Sequence, residues 1–170
     1  INNLFWIEAS QCLIGSSESS THAPLKELDA IARTGINRGG ISFLDCLREP
    51  GLFGSGDQLD IHKLDTFLDH RTRCDLIKID VEGAEPLVLQ GLFNTLEQKR
   101  PYLYVECGSA QLLESITTIL DPFNYDIFWH PSLHYRPNNF RGSGNVTGNK
   151  GDMNLLCAPR ERQAAADPTI

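Results

Sequence analysis

Apolar positions are arranged very differently in the two halves of the chain, and the second half carries the clearer pattern. Asp75–Val81 holds Leu76, Ile77, Ile79 and Val81 around Lys78, a short buried strand that Gly83 breaks. Pro86 stands where a first helical turn tolerates proline. Leu89, Leu92, Phe93 and Leu96 follow at i, i+3, i+4 and i+7, which is one apolar helix face. Pro101 ends that helix, and Tyr102–Val105 makes a second strand. Ser109 can cap a helix whose face is Leu112, Leu113, Ile116, Ile119 and Leu120, closed by Asp121 and Pro122. Tyr125–Trp129 is a third strand, and Met153–Cys157 a fourth after a long loop. Strand, helix, strand, helix, strand specifies an α/β fold with a mostly parallel sheet, and the last strand, lacking a helix before it, enters antiparallel.

The first half is patterned more weakly. Leu4–Ile7 and then Cys12–Ile14 read as strand, ended by Gly15 and the serine-rich loop Ser16–Ser20. Pro24 opens a helical pattern with Leu25, Leu28 and Ile31 on one face, stopped at Gly35. Ile41–Leu47 fits strand or helix equally, and Pro50–Gly56 is a turn-rich loop. Leu59–Leu64 has the alternation of an edge strand, with Asp65 placed to cap a turn carrying Phe67 and Leu68. The expected organisation is a lead-in over 1–58, an α/β unit over 59–160 and a disordered tail over 161–170.

The 170 residues suit one domain with a real core. Net charge is −7, so no broad basic surface exists for a nucleic-acid backbone. No apolar run approaches the roughly 20 residues of a membrane span, and no secretory leader opens the chain. The five cysteines, Cys12, Cys46, Cys74, Cys107 and Cys157, form no C-x-x-C pair. They read as reduced thiols in a soluble, cytoplasmic protein. Ile1 in place of Met points to a chain that has lost its true start.

In parallel sheets ligands bind beyond the carboxyl ends of the strands. There the first clear strand offers Asp80, Glu82 and Glu85, the second Glu106 and the third His130. Carboxylates crowded at one rim raise one another's pKa, which makes a base usable near neutral pH. Glu85 also suits the positive end of the helix that follows it.

The block Asp75-Leu-Ile-Lys-Ile-Asp80-Val-Glu82-Gly-Ala-Glu85, then Val88-Leu-Gln-Gly91 and Pro101-Tyr-Leu-Tyr-Val-Glu106, resembles the signature of the FkbM-type methyltransferases. Lys63-Leu-Asp65 fits the Leu-Asp pair upstream of that signature. Trp129-His130-Pro131, Asn138-Asn-Phe140 and Met153-Asn-Leu-Leu-Cys-Ala-Pro159 are also similar to that family. The resemblance covers about residues 59–160. It implies a Rossmann-like class I methyltransferase sheet and the cofactor S-adenosylmethionine. It also implies O-methylation of a hydroxyl on a sugar, glycan or polyketide-type acceptor. Asp75–Val81 would be the fourth strand of that sheet, with Asp80 and Glu82 at the methionine end of the cofactor. Asp80 is then the first candidate for base or acceptor positioning, Glu106 the second and His130 the third. A divalent ion on Asp80, Glu82 and Glu106 is the less favoured arrangement, because no predicted ligand set is complete.

One feature of such enzymes is missing. They hold the cofactor with a glycine-rich turn after the first strand and an acid after the second. Gly51, Gly54 and Gly56 lack a preceding strand and a following helix, and Gly142, Gly144, Gly148 and Gly151 fail the same test. The expectation is therefore the carboxyl-terminal part of a methyltransferase domain, without its first two strands. That βαβ portion would need roughly 30 or more residues upstream of Ile1. The rival reading is a catalytically silent half-domain that binds a partner.

Tyr135, Asn138, Asn139 and Phe140, in the loop from Pro131 to Lys150, suit a sugar-bearing acceptor by stacking and hydrogen bonding. The sequon Asn145-Val-Thr147 is read as chance. A phosphate-binding ATPase is excluded, because no lysine follows a G-x-x-x-x-G run, and the histidines lack metal-ligand spacing.

Overall fold

A computed structural model describes residues 10, 12–23, 57–68 and 73–163. The expectations for Leu4–Ile7, Leu25–Ile31, Ile41–Leu47 and Pro50–Gly56 lie outside these residues. Two sheets are present among them. The small one contains β1 (Leu13–Ile14), β2 (Ser19–Ala23) and β3 (Asp57–His62), in the order β1-β3-β2. β3 pairs parallel to β1 and antiparallel to β2, so it is the central strand and not the expected edge. Its second partner, Ser19–Ala23, overlaps the stretch Ser16–Ser20 that reads as a serine-rich loop, yet every backbone group there can join a ladder.

The large sheet contains β4 (Leu76–Ile79), β5 (Tyr102–Glu106), β6 (Tyr125–Leu133) and β7 (Gly151–Pro159), in the order β4-β5-β7-β6. β4 and β5 are parallel, while β7 runs antiparallel to both β5 and β6. The sheet is therefore mixed, with one parallel ladder in three. The cause is local: β7 follows β6 without a crossover helix, so it must return antiparallel, and it inserts between β5 and β6.

Register divides the residues of this sheet between two faces. Ile77, Leu103 and Cys157 share one row, and Ile79, Val105 and Leu155 the next; all six are buried. Helices α2 (Glu85–Gln90), α3 (Phe93–Gln98) and α4 (Ala110–Leu120) supply Val88, Leu89, Leu96, Ile116 and Leu120 to the same core, and Leu92 joins it from between α2 and α3. Ser109 caps α4 as expected, its Oγ accepting from Leu112 N at 3.2 Å. The opposite face carries Lys78, Tyr104, Glu106, Asn154, Phe128 and His130.

The single helix expected over Leu89–Leu96 is broken at Gly91. Asp65, in α1 (Leu64–Leu68), is responsible: its carboxylate accepts from Asn94 N and Thr95 N at 3.0 and 2.9 Å. In a continuous helix those donors would reach back to the carbonyls of Gln90 and Gly91, and the Gly91 carbonyl instead accepts from Asp65 N. Asp65 thus caps α3 and not its own helix.

The tail begins with one helical turn, α5 (Arg160–Gln163). Glu161 forms two hydrogen bonds there with Arg100, at 2.7 and 2.8 Å.

Candidate active site

β4 stops at Ile79 and the chain turns sharply before α2. Glu82 has φ 51° and Gly83 φ 98°, two consecutive left-handed residues. Glycine accepts that conformation freely, but Glu82 must be held in it. Glu85 supplies the hold: fully buried, its Oε1 accepts from Val81 N at 3.2 Å and Gly83 N at 3.1 Å. Its role is therefore larger than complementing a helix end, since it laces the loop that presents Glu82. The other oxygen, Oε2, is buried without a hydrogen-bond partner.

Laced in this way, the loop brings together Asp80, Glu82 and Glu106, each with a carboxylate oxygen within 4.8 Å of the others. Asp80 also pairs with Lys78 Nζ at 2.5 Å. Glu106, the last residue of β5, is only partly exposed. Burial, then the charges of Asp80 and Glu82, push its pKa from the ordinary 4.5 to about 7, and a hydrogen bond with Asp80 adds to the shift. Glu82 is pushed upward too, by burial first and then by Asp80, Glu85 and Asp152. Three carboxylates this close can share a proton, receive one from a substrate, or hold a cationic group.

His130 lies inside β6 and not beyond its end, because the strand continues to Leu133 against Gly151–Asp152. It still belongs to the same face. Glu106 pairs with Asn154 in β7, and Asn154 pairs with His130 in β6, so the three share one row. Its Nδ1 lies 2.8 Å from the Tyr104 hydroxyl. Tyr104 and Asn154 escaped notice in the sequence, because their position relative to His130 exists only once β7 inserts between β5 and β6.

The loop after β6 is tied at its base by His134 N to Lys150 O and by His134 Nε2 with Asp152, each 3.0 Å. Asn139 spends its amide on the loop itself, bonding the Arg136 and Ser143 carbonyls and the Ser143 N–H. Tyr135 is half-buried, while Asn138 and Phe140 are exposed. None of these four makes a hydrogen bond to the carboxylate cluster among the described residues. Cys107 and Cys157 are buried free thiols, and Cys12 and Cys74 are half-buried ones.

The raised Glu106 pKa has a consequence for stability. The folded protein keeps this proton between pH 4.5 and about 7, where the unfolded chain has released it. Its contribution is complete below 4.5 and is lost as pH rises through about 7, so stability falls across that window. Glu18, held by Thr66, Lys63 N and His62, and Glu161, held by Arg100, sit at about 2 and act only on the acid side of 4.5. Urea midpoints measured from pH 5 to 8 are expected to decline in the native protein and to flatten in Glu106→Gln. An equal decline in both would place the titrating group elsewhere.

The family model of the methyltransferase FkbM domain matches residues 52–127. The match includes Asp80, Glu82 and Glu106, while His130 and the loop after β6 lie beyond it. No curated protein and no solved structure matches the chain.

Proposed function

We propose, from the premise that residues 52–127 are part of an FkbM methyltransferase domain, that this chain provides the acceptor side of an S-adenosylmethionine-dependent O-methyltransferase. The single observation that carries the reading is the convergence of Asp80, Glu82 and Glu106 at the carboxyl ends of two adjacent parallel strands. Ligands of parallel sheets bind at such ends.

The donor set fits one end of the cofactor. A carboxylate cluster suits the ammonium of its methionine part and the sulfonium beside it, and Asp80 and Glu82 are assigned to that end. When bound, the cofactor supplies an electrophilic methyl group on sulfur. The chain's own residues handle the acceptor. A neutral hydroxyl is a weak nucleophile, so its proton must leave as its oxygen attacks. Glu106, poised at about 7, and Asp80 beside it are the groups to take that proton. His130, on the same row, helps to hold the acceptor. In Tyr135, Asn138 and Phe140 the loop offers stacking and hydrogen-bonding groups for a sugar, glycan or polyketide-type hydroxyl, and Asn139, its amide spent within the loop, shapes the turn that presents them. No metal is needed for this chemistry, and the protein is taken to act in the cytoplasm on a small-molecule or glycan acceptor. The parallel β4–β5 pair with helices packed against it supports a Rossmann-like assignment.

Calorimetric titration of S-adenosylmethionine into the folded chain tests the cofactor assignment. Saturable binding, weakened by Glu82→Gln, is the expected result. A folded chain that takes up no cofactor would overturn the assignment and leave a silent half-domain that binds a partner.

A further inference from the structure

Tyr104 and His130 stand on strands separated by β7, and their side chains meet across it. The hydroxyl and Nδ1 are 2.8 Å apart, and the rings make an edge contact at 5.5 Å and 65°. Beneath them on β7 lie Leu156, opposite Tyr104, and Asn154, opposite His130, the latter only 6% exposed. Tyr104 is itself half-buried on the rigid strand that ends in Glu106, so its hydroxyl is well placed to fix a neighbour.

A phenol O–H is a stronger donor than a neutral imidazole N–H, and an imidazole nitrogen with a lone pair is a better acceptor than a phenol oxygen. The favoured arrangement has Tyr104 donating to Nδ1, which leaves the proton of neutral His130 on Nε2. We infer that Tyr104 is a positioning residue that makes His130 a hydrogen-bond donor at Nε2, holding the acceptor oxygen, and leaves the proton to the carboxylates. This inference deepens the methyltransferase reading above and rests on it for the identity of the acceptor. The row geometry supports the division of labour. Strands are about 4.8 Å apart, so the Glu106 and His130 backbones are roughly 10 Å apart across Asn154, enough for one hydroxyl-bearing group between their side chains.

Two measurements test it separately. The first is the nitrogen spectrum of the His130 ring in labelled protein at about pH 8, above the ordinary histidine range, assigned by His130→Gln. The expected result is a protonated Nε2 and an Nδ1 resonance that Tyr104→Phe moves, because the hydrogen bond to it is lost. A protonated Nδ1, or an Nδ1 signal indifferent to Tyr104→Phe, would overturn the assignment. That spectrum needs neither cofactor nor transfer, so it stands even if the methyltransferase reading fails. The second is acceptor kinetics of Tyr104→Phe in a transferring preparation. A several-fold rise in KM with an unchanged pH profile is expected. Displacement of the inflection near neutral pH, through loss of the hydrogen bond to Nδ1, would make His130 the base and overturn the donor role.

Discussion

Replacing Asp80 by Asn is expected to lower methyl transfer by about 10²–10⁴-fold while leaving the fold in place, the range that positioned acid–base groups contribute. The fold should survive because Asp80 lies beyond the end of β4 and its side chain is 42% exposed. Its pair with Lys78 is a surface one, of the kind worth about 1 kcal/mol or less. Chemistry should suffer twice. The carboxylate proposed to position or deprotonate the acceptor is gone, and so is a charge that holds Glu106 up at about 7. Removing a neighbouring negative charge makes Glu106 easier to ionise, so the inflection in any residual rate should move to lower pH. Glu106→Gln should lose transfer comparably and abolish that inflection. Labelled-methyl transfer measured against pH, with circular dichroism as the control for folding, checks all three. Undiminished turnover in Asp80→Asn would sink the catalytic assignment.

The second large effect concerns the junction between the two sheets. Gly91→Ala is expected to destabilise the protein by about 3 kcal/mol, a strong overpacking penalty. Helix propensity alone predicts the opposite sign, since alanine is the better helix former by about 1 kcal/mol and Gly91 has an ordinary φ of −77°. Packing decides. A Cβ on Gly91 would lie 2.2 Å from the Gly15 carbonyl oxygen and 3.4 Å from Lys63 Cα, both backbone atoms that no rotamer change can move aside. Gly15 is itself tied by its N–H to the His62 carbonyl, so the small sheet would have to shift as a unit. A fall in melting temperature of about 10 °C is expected for a chain of this size. Gly15→Ala serves as the comparison, since its Cβ would meet a side-chain atom and no backbone, the Ile61 Cγ2 methyl at 2.9 Å. Equal melting of Gly91→Ala and the native protein would show that the two glycine backbones are not in contact.

Much of the site was legible from local sequence, because it stands on a strand–turn–helix whose parts declare themselves. Leu76–Ile79 is a short apolar strand, Gly83 marks the turn and Pro86 sits in the first helical turn. The carboxylates therefore fall beyond the strand end without any knowledge of the rest. The same local pattern offered Glu85 as a rim acid or as a complement to the helix end, and gave no sign that its carboxylate turns back to bond Val81 and Gly83. A glutamate in a first helical turn is ordinary, and only its burial shows that it shapes the loop.

Period and punctuation thus determined the type and order of the elements from β4 to β7, since burial of one apolar face dictates both. They also determined the antiparallel entry of β7, since no crossover helix stands between it and β6. Tertiary contacts decided what depends on partners distant in sequence. Asp65 reached Asn94 and Thr95 and split a helix that periodicity predicts as continuous. β3 became a central strand only through Ser19–Ala23, a segment with no hydrophobic signal of its own. The insertion of β7 between β5 and β6 put Glu106, Asn154 and His130 on one row and let Tyr104 meet His130. Local preference is written into each residue and its neighbours, whereas strand order and shared capping arise from packing, where residues far apart in the chain compete for the same partners.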